Sequence, residues 1–252
     1  MLCRSLINRL NYRLFAVILF CLGWLSDAVA DNSKYVILIT IDGMHAGMVT
    51  DPEMPSPYLK MMKCEGLFVD KVKGVPPTAT YPSHTSIVTG ALPVHHRIFY
   101  NSPFVFNKDS VVSYWYADSI KAPTIWQAAK ESGLTTASLF WPVSTKSRWI
   151  DYNIPEYWSV KRVANQLDFI KPVCTPSGIL DELEQNAVGR LDHLTFGAGS
   201  INRDARTAYM ANYIMNKYHP NLMTIHLITT DYAQHATGMQ SERTRMAVAS
   251  VD

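Results

Sequence analysis

The stretch KYVILITIDG, residues 34–43, decides the fold class. Seven consecutive residues in it, from Tyr35 on, are apolar or β-branched, which is typical of a strand buried on both faces of a parallel sheet. Asp42 directly follows this run. A similar run, LMTIHLITTD at residues 222–231, also ends on an aspartate, Asp231. Ligands of such sheets bind at the carboxyl ends of the strands, so both aspartates are expected at the ligand-binding edge.

The rest of the chain alternates between helix and strand patterns, which predicts an α/β fold with a mostly parallel sheet and helices on both faces. Residues 142–199 are less regular, contain one helix pattern at GILDELEQN (178–186), and are interpreted as a cap or an insertion. Helices are predicted at SPYLKMMKCEG (56–66), PSHTSIVTGAL (82–92), PTIWQAAKESG (123–133), DARTAYMANYIMNKYHP (204–220) and SERTRMAVASVD (241–252), and strands at LFVDKVKGV (67–75) and LTTASLFW (134–141).

The N-terminus has the pattern of a signal peptide. Three arginines precede an apolar run at residues 14–25, and Ala-Val-Ala at 28–30 fits a cleavage site. The apolar run is shorter than the roughly 20 residues that span a membrane, although an uncleaved anchor is the alternative. We therefore expect residues 1–30 to be removed, no membrane attachment afterwards, and a secreted or periplasmic protein.

The length, charge and cysteine content of the chain limit the class of protein that it can be. A chain of 252 residues suits one sizeable α/β domain, and its net charge of +2 without a run of lysines and arginines gives no sign of a nucleic-acid-binding surface. After loss of the leader, Cys64 and Cys174 remain, and in an oxidising compartment they either pair or stay free. No cysteine spacing of a metal site is present.

Four positions suggest chemistry, and each also has a structural interpretation. Asp42 forms an Asx turn or binds a metal ion. Thr80 caps a helix or acts as a nucleophile, which requires activation by a metal ion or a helix N-terminus. Asp231 and His235 are four residues apart, so one helical turn would bring a carboxylate and an imidazole together, a pair that suits zinc. Asn101 is a loop residue or a donor to a phosphate oxygen.

Five motifs stand together in one order: ILITIDGM, PPTATYPSHTSIVTG, LPVHHRI, FWP and TTDYAQHATG. In this order the chain resembles the type I phosphodiesterase/nucleotide pyrophosphatase family of the alkaline phosphatase superfamily, from residue 34 to residue 252. The resemblance implies an alkaline phosphatase-like fold and two divalent metal ions, with zinc favoured. It also implies hydrolysis of phosphodiester or pyrophosphate bonds in small, nucleotide-type substrates.

The resemblance also implies residue roles. Asp42 and Thr80 would bind one ion, and Thr80 would attack phosphorus to form a phosphothreonine intermediate. Asp231 and His235 would bind the other ion. Asn101, with the backbone amide of Thr80, would hold a non-bridging phosphate oxygen as charge develops on it.

Specificity residues follow from the same resemblance. Tyr81 occupies the position of an aromatic side chain that stacks on a nucleobase, and its alternative is simple packing. Tyr157 and Trp158 are expected to form the opposite wall. A threonine at position 80 argues against alkaline phosphatases proper and sulfatases. His95 and His96 are interpreted as turn residues after the helix rather than as metal ligands.

The chain also departs from the family pattern. No Asp-His-Gly motif follows Asp231, and the pair Asp192-His193 precedes it, which is the wrong order. Each predicted metal site is therefore only half supplied, and the chain is expected to be the N-terminal part of a catalytic domain. The alternatives are a non-catalytic secreted binding protein or completion by a second polypeptide. Within the superfamily, a phosphomonoesterase or a phosphoethanolamine transferase is the alternative activity.

Overall fold

A four-stranded parallel sheet organises the molecule, in the order β1-β4-β2-β3. The computed structural model describes residues 34–106, 112–158, 167–197 and 199–252. The strands are β1 (Val36–Ile41), β2 (Thr136–Leu139), β3 (Tyr152–Ile154) and β4 (Leu222–Leu227). This confirms the predicted α/β class with a parallel sheet.

Eleven α-helices connect and cover the strands within the described ranges. Each helix predicted from the sequence has a counterpart among them. Short 3-10 turns and one π turn occur between these α-helices. The helices are α1 (Ala46–Thr50), α2 (Pro57–Glu65), α3 (Thr80–Thr89), α4 (Pro93–His96), α5 (Ile125–Glu131), α6 (Leu167–Ile170), α7 (Ile179–Leu183), α8 (His193–Phe196), α9 (Arg203–Tyr218), α10 (Thr229–Thr237) and α11 (Glu242–Val251).

The two faces of β4 carry different chemistry, because successive side chains of a strand point to opposite faces. Met223 and Ile225 belong to the main core cluster, together with Met210 and Ile214 of α9. On the other face, the indole of Trp126 in α5 donates to the hydroxyl of Thr224 at 3.2 Å. The polar residues of β4 therefore lie on the face that α3 and α5 cover.

Strand β1 brings the N-terminal part of the fold to the same edge as β4. Val36 pairs with Leu222 and Ile41 with Leu227, so both strands end together. The amide of Asp42 continues the ladder and donates to the carbonyl of Leu227 at 2.8 Å. The first residue after β1 is therefore held beside the loop that leads into α10.

The strand predicted at residues 67–75 is wrong. This segment is irregular, and the side chains of Leu67 and Val72 are 95% and 84% exposed. Its apolar residues are compatible with a strand, but none of the four described strands pairs with it. A strand pattern forms a strand only where a sheet edge accepts it.

The two cysteines of the described part are free, so the paired alternative is not adopted. Cys64 is exposed at the end of α2, whereas Cys174 is buried and donates from Sγ to the carbonyl of Ile170 at 3.3 Å. Burial raises the pKa of the Cys174 thiol to about 12. Its packing therefore makes it a poor nucleophile.

Residues 142–199 contribute to the sheet and to the main core. Strand β3 pairs with β2, and Ile179 and Leu183 of α7 pack in the same cluster as the strands. Their interpretation as a cap or an insertion stays a prediction. The expected signal peptide, residues 1–30, lies outside the described residues. None of the helices in the described ranges has both the length and the apolar character needed to cross a bilayer.

Candidate functional site

Thr80 and Asp42 meet at the carboxyl edge of the sheet. Thr80 is the first residue of α3, and its hydroxyl donates to Asp42 Oδ2 at 3.2 Å. Burial raises the pKa of Asp42, but His226, His84 and the Thr80 hydroxyl together bring it below its usual value. The Asp42 carboxylate is therefore held in its charged form next to the hydroxyl of Thr80.

Gly43 allows the close approach of β1 to α10. Its φ is +73°, and a Cβ atom there would lie 2.6 Å from the side-chain nitrogen of Gln234 and 2.9 Å from the Cα of Asp231. That nitrogen instead donates to the Gly43 carbonyl at 2.7 Å. Any larger residue at position 43 would push α10 away from the end of β1.

Asn101 reaches the start of α3 from the following loop. Its Oδ1 accepts a hydrogen bond from the backbone amide of Tyr81 at 2.9 Å. This bond satisfies one of the amides that a helix N-terminus leaves without an intrahelical acceptor. Because Oδ1 is occupied by this bond, the Nδ2 group of Asn101 is the part of the side chain that can donate to a ligand beside Thr80.

Asp231 and His235 lie on α10, not at the end of a strand. Strand β4 ends at Leu227, and the helix that follows puts Asp231 in its first turn. The helix brings His235 Nε2 within 3.4 Å of Asp231 Oδ1, although the His235 side chain is 81% exposed. Burial and the negative charge of Asp42 raise the pKa of Asp231. The two aspartates are thus close enough to repel each other.

Asp42, Thr80, Asn101 and Asp231 open into one cavity of about 230 Å³. Aromatic side chains form one part of its wall, and polar groups the other. The lining residues are Asp42, Thr80, Tyr81, Asn101, Ser113, Trp115, Glu156, Trp158, His226, Ile228, Asp231 and Tyr232. We define this cavity as the candidate site.

Tyr157 and His235 stand apart from this lining. Tyr157 packs on Trp115, with ring centroids 5.6 Å apart, and its hydroxyl lies 3.4 Å from that of Tyr116. A larger cavity of about 640 Å³ lies elsewhere and contains none of the predicted site residues. It is lined in part by Lys121, Trp126 and Arg148. Convergence of chemical groups, rather than volume, identifies the candidate site.

His96 is a structural residue. It is fully buried, its Nδ1 accepts from the amide of Ile98 at 3.1 Å, and its Nε2 donates to the hydroxyl of Ser86 at 2.9 Å. These bonds fix the turn after α3, as the sequence interpretation expects. His95 is exposed in the same short helix α4.

The sequence analysis missed two histidines, His226 in the lining of the site and His84 beneath it. His84, one turn after Thr80, donates from Nδ1 to the Thr80 carbonyl at 2.7 Å, and its Nε2 accepts from the hydroxyl of Thr40 at 2.9 Å. Burial lowers the pKa of His84 to about 3, so the ring is neutral. It stacks on His226 of β4 with ring centroids 4.2 Å apart.

The third missed residue is Glu156. Its Oε1 accepts from the Tyr81 hydroxyl at 3.1 Å and from the indole of Trp158 at 3.4 Å. Burial raises the pKa of Glu156, while His226 and Arg203 act in the opposite direction. The signal that could have found His226 and Glu156 is a polar residue inside an otherwise apolar segment, in LMTIHL and in IPEYW.

The part of the chain that the structure describes contains no cluster of three or more His, Cys, Asp or Glu side chains arranged to hold a metal ion. The donors at the site are instead mixed. Asp42 and Asp231 supply carboxylates, Thr80 a hydroxyl, and His226 a buried ring nitrogen without a hydrogen-bond partner. Repelling carboxylates and an orphaned imidazole are a donor set that fits a divalent cation.

The sequence profile of one family matches almost the whole described chain. The profile is that of type I phosphodiesterases/nucleotide pyrophosphatases, and the match covers residues 36–252. The chain therefore belongs to the type I phosphodiesterase/nucleotide pyrophosphatase family.

Individual relatives agree with this assignment. Bis(5'-adenosyl)-triphosphatase from Xenopus laevis is 31% identical over 144 residues, which cover 54% of this chain and 31% of the relative. Human ectonucleotide pyrophosphatase/phosphodiesterase family member 1 is 31% identical over 117 residues, covering 43% of this chain and 12% of the relative. The matched region thus spans less than a third of either relative.

Solved structures share the fold. Phosphonoacetate hydrolase from Sinorhizobium meliloti 1021, in complex with phosphonoacetate, superimposes with a TM-score of 0.62 at 19% identity, covering 87% of this chain and 51% of that one. An inactive threonine-to-alanine variant of murine ectonucleotide pyrophosphatase/phosphodiesterase 5, in complex with AMP, gives 0.58 at 18% identity, covering 86% and 49%. The chain spans about half the length of these structures.

Proposed function

We propose that the chain carries the nucleophile half of an enzyme that hydrolyses phosphodiester or pyrophosphate bonds in nucleotide-type substrates. The observation that carries the proposal is the contact between the Thr80 hydroxyl and Asp42 at the N-terminus of α3. A threonine hydroxyl is a weak nucleophile and needs such activation. That a threonine-to-alanine variant of murine ectonucleotide pyrophosphatase/phosphodiesterase 5 is inactive supports the proposal of an essential threonine.

Two transfers complete the reaction. In the first, Thr80 Oγ1 forms a bond to phosphorus while the bond to the leaving oxygen breaks, and the hydroxyl proton, held at Asp42 Oδ2, ends on the leaving group. In the second, water attacks phosphorus, the bond to Thr80 Oγ1 breaks, and Thr80 recovers a proton. A diester and water give a monoester and an alcohol.

The donors around Thr80 place the phosphate. The Nδ2 group of Asn101 and the free amide of Thr80 donate to a non-bridging oxygen, whose charge grows as the new bond forms. A divalent cation, zinc in our proposal, would be held by Asp42 and Thr80, and a second by Asp231 and His235. When bound, such cations supply charge neutralisation at both ends of the displacement.

The aromatic wall gives the preference for nucleotides. Tyr81 and Trp158 line the cavity on the side of Thr80, and a flat base stacks favourably on such rings. Tyr157 lies behind them and is proposed to complete this wall in the liganded site. Adenosine phosphates are the group named for the Xenopus relative and for the murine structure. Secretion or a periplasmic location, based on residues 1–30, remains part of the proposal.

The test is hydrolysis of bis-p-nitrophenyl phosphate by the purified chain with added zinc, beside a monoester and a phosphoethanolamine lipid. Thr80→Ala is expected to lower turnover by at least about a thousandfold. Thr78→Ala is the matched control, because Thr78 is an exposed threonine two residues away. Faster monoester or lipid turnover would assign the alternative activities. A folded chain without turnover on any substrate would leave the non-catalytic binding protein.

A further inference from the structure

The imidazole ring of His226 is buried without satisfied hydrogen bonds. Its side chain is 1% exposed, and neither ring nitrogen has a hydrogen-bond partner. A buried polar group without a partner destabilises the folded state. Strand alternation fixes the ring on this face of β4, stacked on His84, so it cannot turn to solvent. Asp42 and Glu156 approach the two ring nitrogens to 3.6 and 3.9 Å without closing a hydrogen bond, so the position has room for a further partner.

The distances around Asp42 indicate what that partner is. Asp42 Oδ2 lies 3.6 Å from His226 Nε2 and 3.2 Å from Thr80 Oγ1. The first distance is too long for a hydrogen bond. Donor atoms that surround a tetrahedral zinc ion at 2.0–2.1 Å lie about 3.3 Å from each other. Both separations are therefore close to those between ligands of one ion.

The other side of the ring strengthens the case. His226 Nδ1 lies 3.9 Å from Glu156 Oε2, a buried oxygen that also lacks a partner. The opposite oxygen of Glu156 is held by the Tyr81 hydroxyl and the Trp158 indole. Histidines that bind metals regularly donate their second ring nitrogen to a carboxylate, which fixes the tautomer and the ring orientation. One cation would thus explain three orphaned atoms at once.

We propose that His226 Nε2 is a ligand of the divalent cation at Asp42 and Thr80, and that Glu156 is the positioning residue behind it. This inference rests on the proposed function only in requiring that a cation binds. It adds a third protein ligand to a site for which the sequence motifs supply two. Three protein ligands and an open position are the usual composition of a catalytic zinc site.

Metal binding by the full chain tests the proposal directly. Zinc affinity is measured by calorimetry, and the visible absorption spectrum of the Co²⁺-loaded chain reports the ligand set. His226→Gln is expected to weaken the affinity for one equivalent of zinc by more than 100-fold and to change the Co²⁺ spectrum. Glu156→Gln is expected to weaken it by about 10–100-fold without loss of a ligand.

Two matched variants complete the design. His95→Gln removes an exposed histidine outside the site and is expected to leave both readouts unchanged. His235→Gln is expected to affect only a second equivalent. If His226→Gln does not fold, the His235→Gln chain loaded with one Co²⁺ provides the test. Its NMR spectrum must then show a paramagnetically shifted imidazole N–H proton, a signal that only a coordinated histidine gives. Absence of that signal overturns the proposal.

Failure of this proposal and failure of the proposed function give different results. Unchanged zinc affinity and Co²⁺ spectrum in folded His226→Gln, or no metal binding by the wild-type chain, overturns the assignment of His226. Metal binding that depends on His226 without any hydrolysis supports the assignment and removes the proposed activity. Hydrolysis that depends on Thr80, together with zinc binding that is unchanged in His226→Gln, supports the proposed function and overturns the assignment of His226.

Discussion

At the scale of the single residue, Tyr81 links the helix start to the buried acid of the site. Its backbone amide donates to Asn101 at 2.9 Å, and its hydroxyl donates to Glu156 at 3.1 Å. Burial raises the pKa of Tyr81 well above its usual value, and the negative charge of Glu156 adds to this. The Tyr81 side chain therefore stays a neutral hydrogen-bond donor. It has a structural role in the fold in addition to its proposed contact with a ligand.

Tyr81→Phe tests this structural role. The change leaves the buried Glu156 with one hydrogen bond fewer, so the free energy of unfolding is expected to fall by about 1–3 kcal/mol. Urea denaturation measures it. Tyr116→Phe is the control, since the Tyr116 hydroxyl contacts that of Tyr157 at 3.4 Å near the surface, and a change within about 0.5 kcal/mol is expected. Equal losses in both variants would contradict the assigned role.

Residue types and spacing predicted the part of the site that lies next to recognisable motifs. Asp42, Thr80, Asn101 and Asp231 line one cavity, although their roles remain proposals. His226 was missed because a histidine in the run LMTIHL does not interrupt a strand pattern. Only the three-dimensional pairing of β1 with β4 places it beside Asp42. Local sequence carries no information on that distance.

At the scale of the element, Glu182 ties α7 to α9. Its Oε1 accepts from the hydroxyl of Tyr218 at 2.6 Å and from Lys217 Nζ at 2.9 Å. These hydrogen bonds, the Tyr218 bond first, lower the pKa of Glu182 from 4.5. The folded state thus holds the carboxylate charged at pH values where the unfolded chain takes up a proton.

A pH series on Glu182→Gln follows from this. A carboxyl with a lowered folded-state pKa stabilises the protein above its unfolded value of 4.5, and this contribution disappears as the pH falls through the lowered pKa. The variant is expected to lose up to about 1 kcal/mol at pH 7 and less at pH 3, which lies below the unfolded-state pKa of 4.5. Thermal unfolding at both pH values measures it. Glu131→Gln removes a charge whose side-chain hydrogen bond, from Gln127, stays within α5, so it should change stability less at pH 7.

Helices were easier to predict than strands in this chain. The helix expected at 204–220 exists as Arg203–Tyr218, because its apolar residues repeat at the helical period and its ends carry local stop signals. The strand expected at 67–75 is absent, because strand formation depends on a partner elsewhere in the fold. The helix Thr229–Thr237 was not predicted, because its first residues continue the apolar run that predicts a strand up to residue 231.

At the scale of the whole molecule, the sheet ends on an apolar strand. Strand β1 pairs with β4 on one side and with no other described strand, and Ile37 and Ile39 are 46% and 51% exposed. Relatives and solved neighbours are longer than the matched region. An open edge with apolar side chains is a surface on which strands associate.

Ile37→Lys is expected to reduce concentration-dependent self-association, because a charge on an edge strand opposes strand addition. Light scattering over a concentration series measures the effect. Met246→Lys adds the same charge at a similarly exposed position on α11, away from the edge. If both variants reduce association equally, net charge rather than the β1 edge is responsible.

The strand order has a consequence for how the chain folds during its synthesis. The first strand, Val36–Ile41, finds its partner only in the fourth, Leu222–Leu227. During synthesis β1 therefore leaves the ribosome long before the segment that it pairs with, and closing so large a loop is slow. For most of translation its apolar residues have no native neighbour. Chaperone binding to the nascent chain is thus expected to concentrate on this N-terminal strand and to end when β4 emerges.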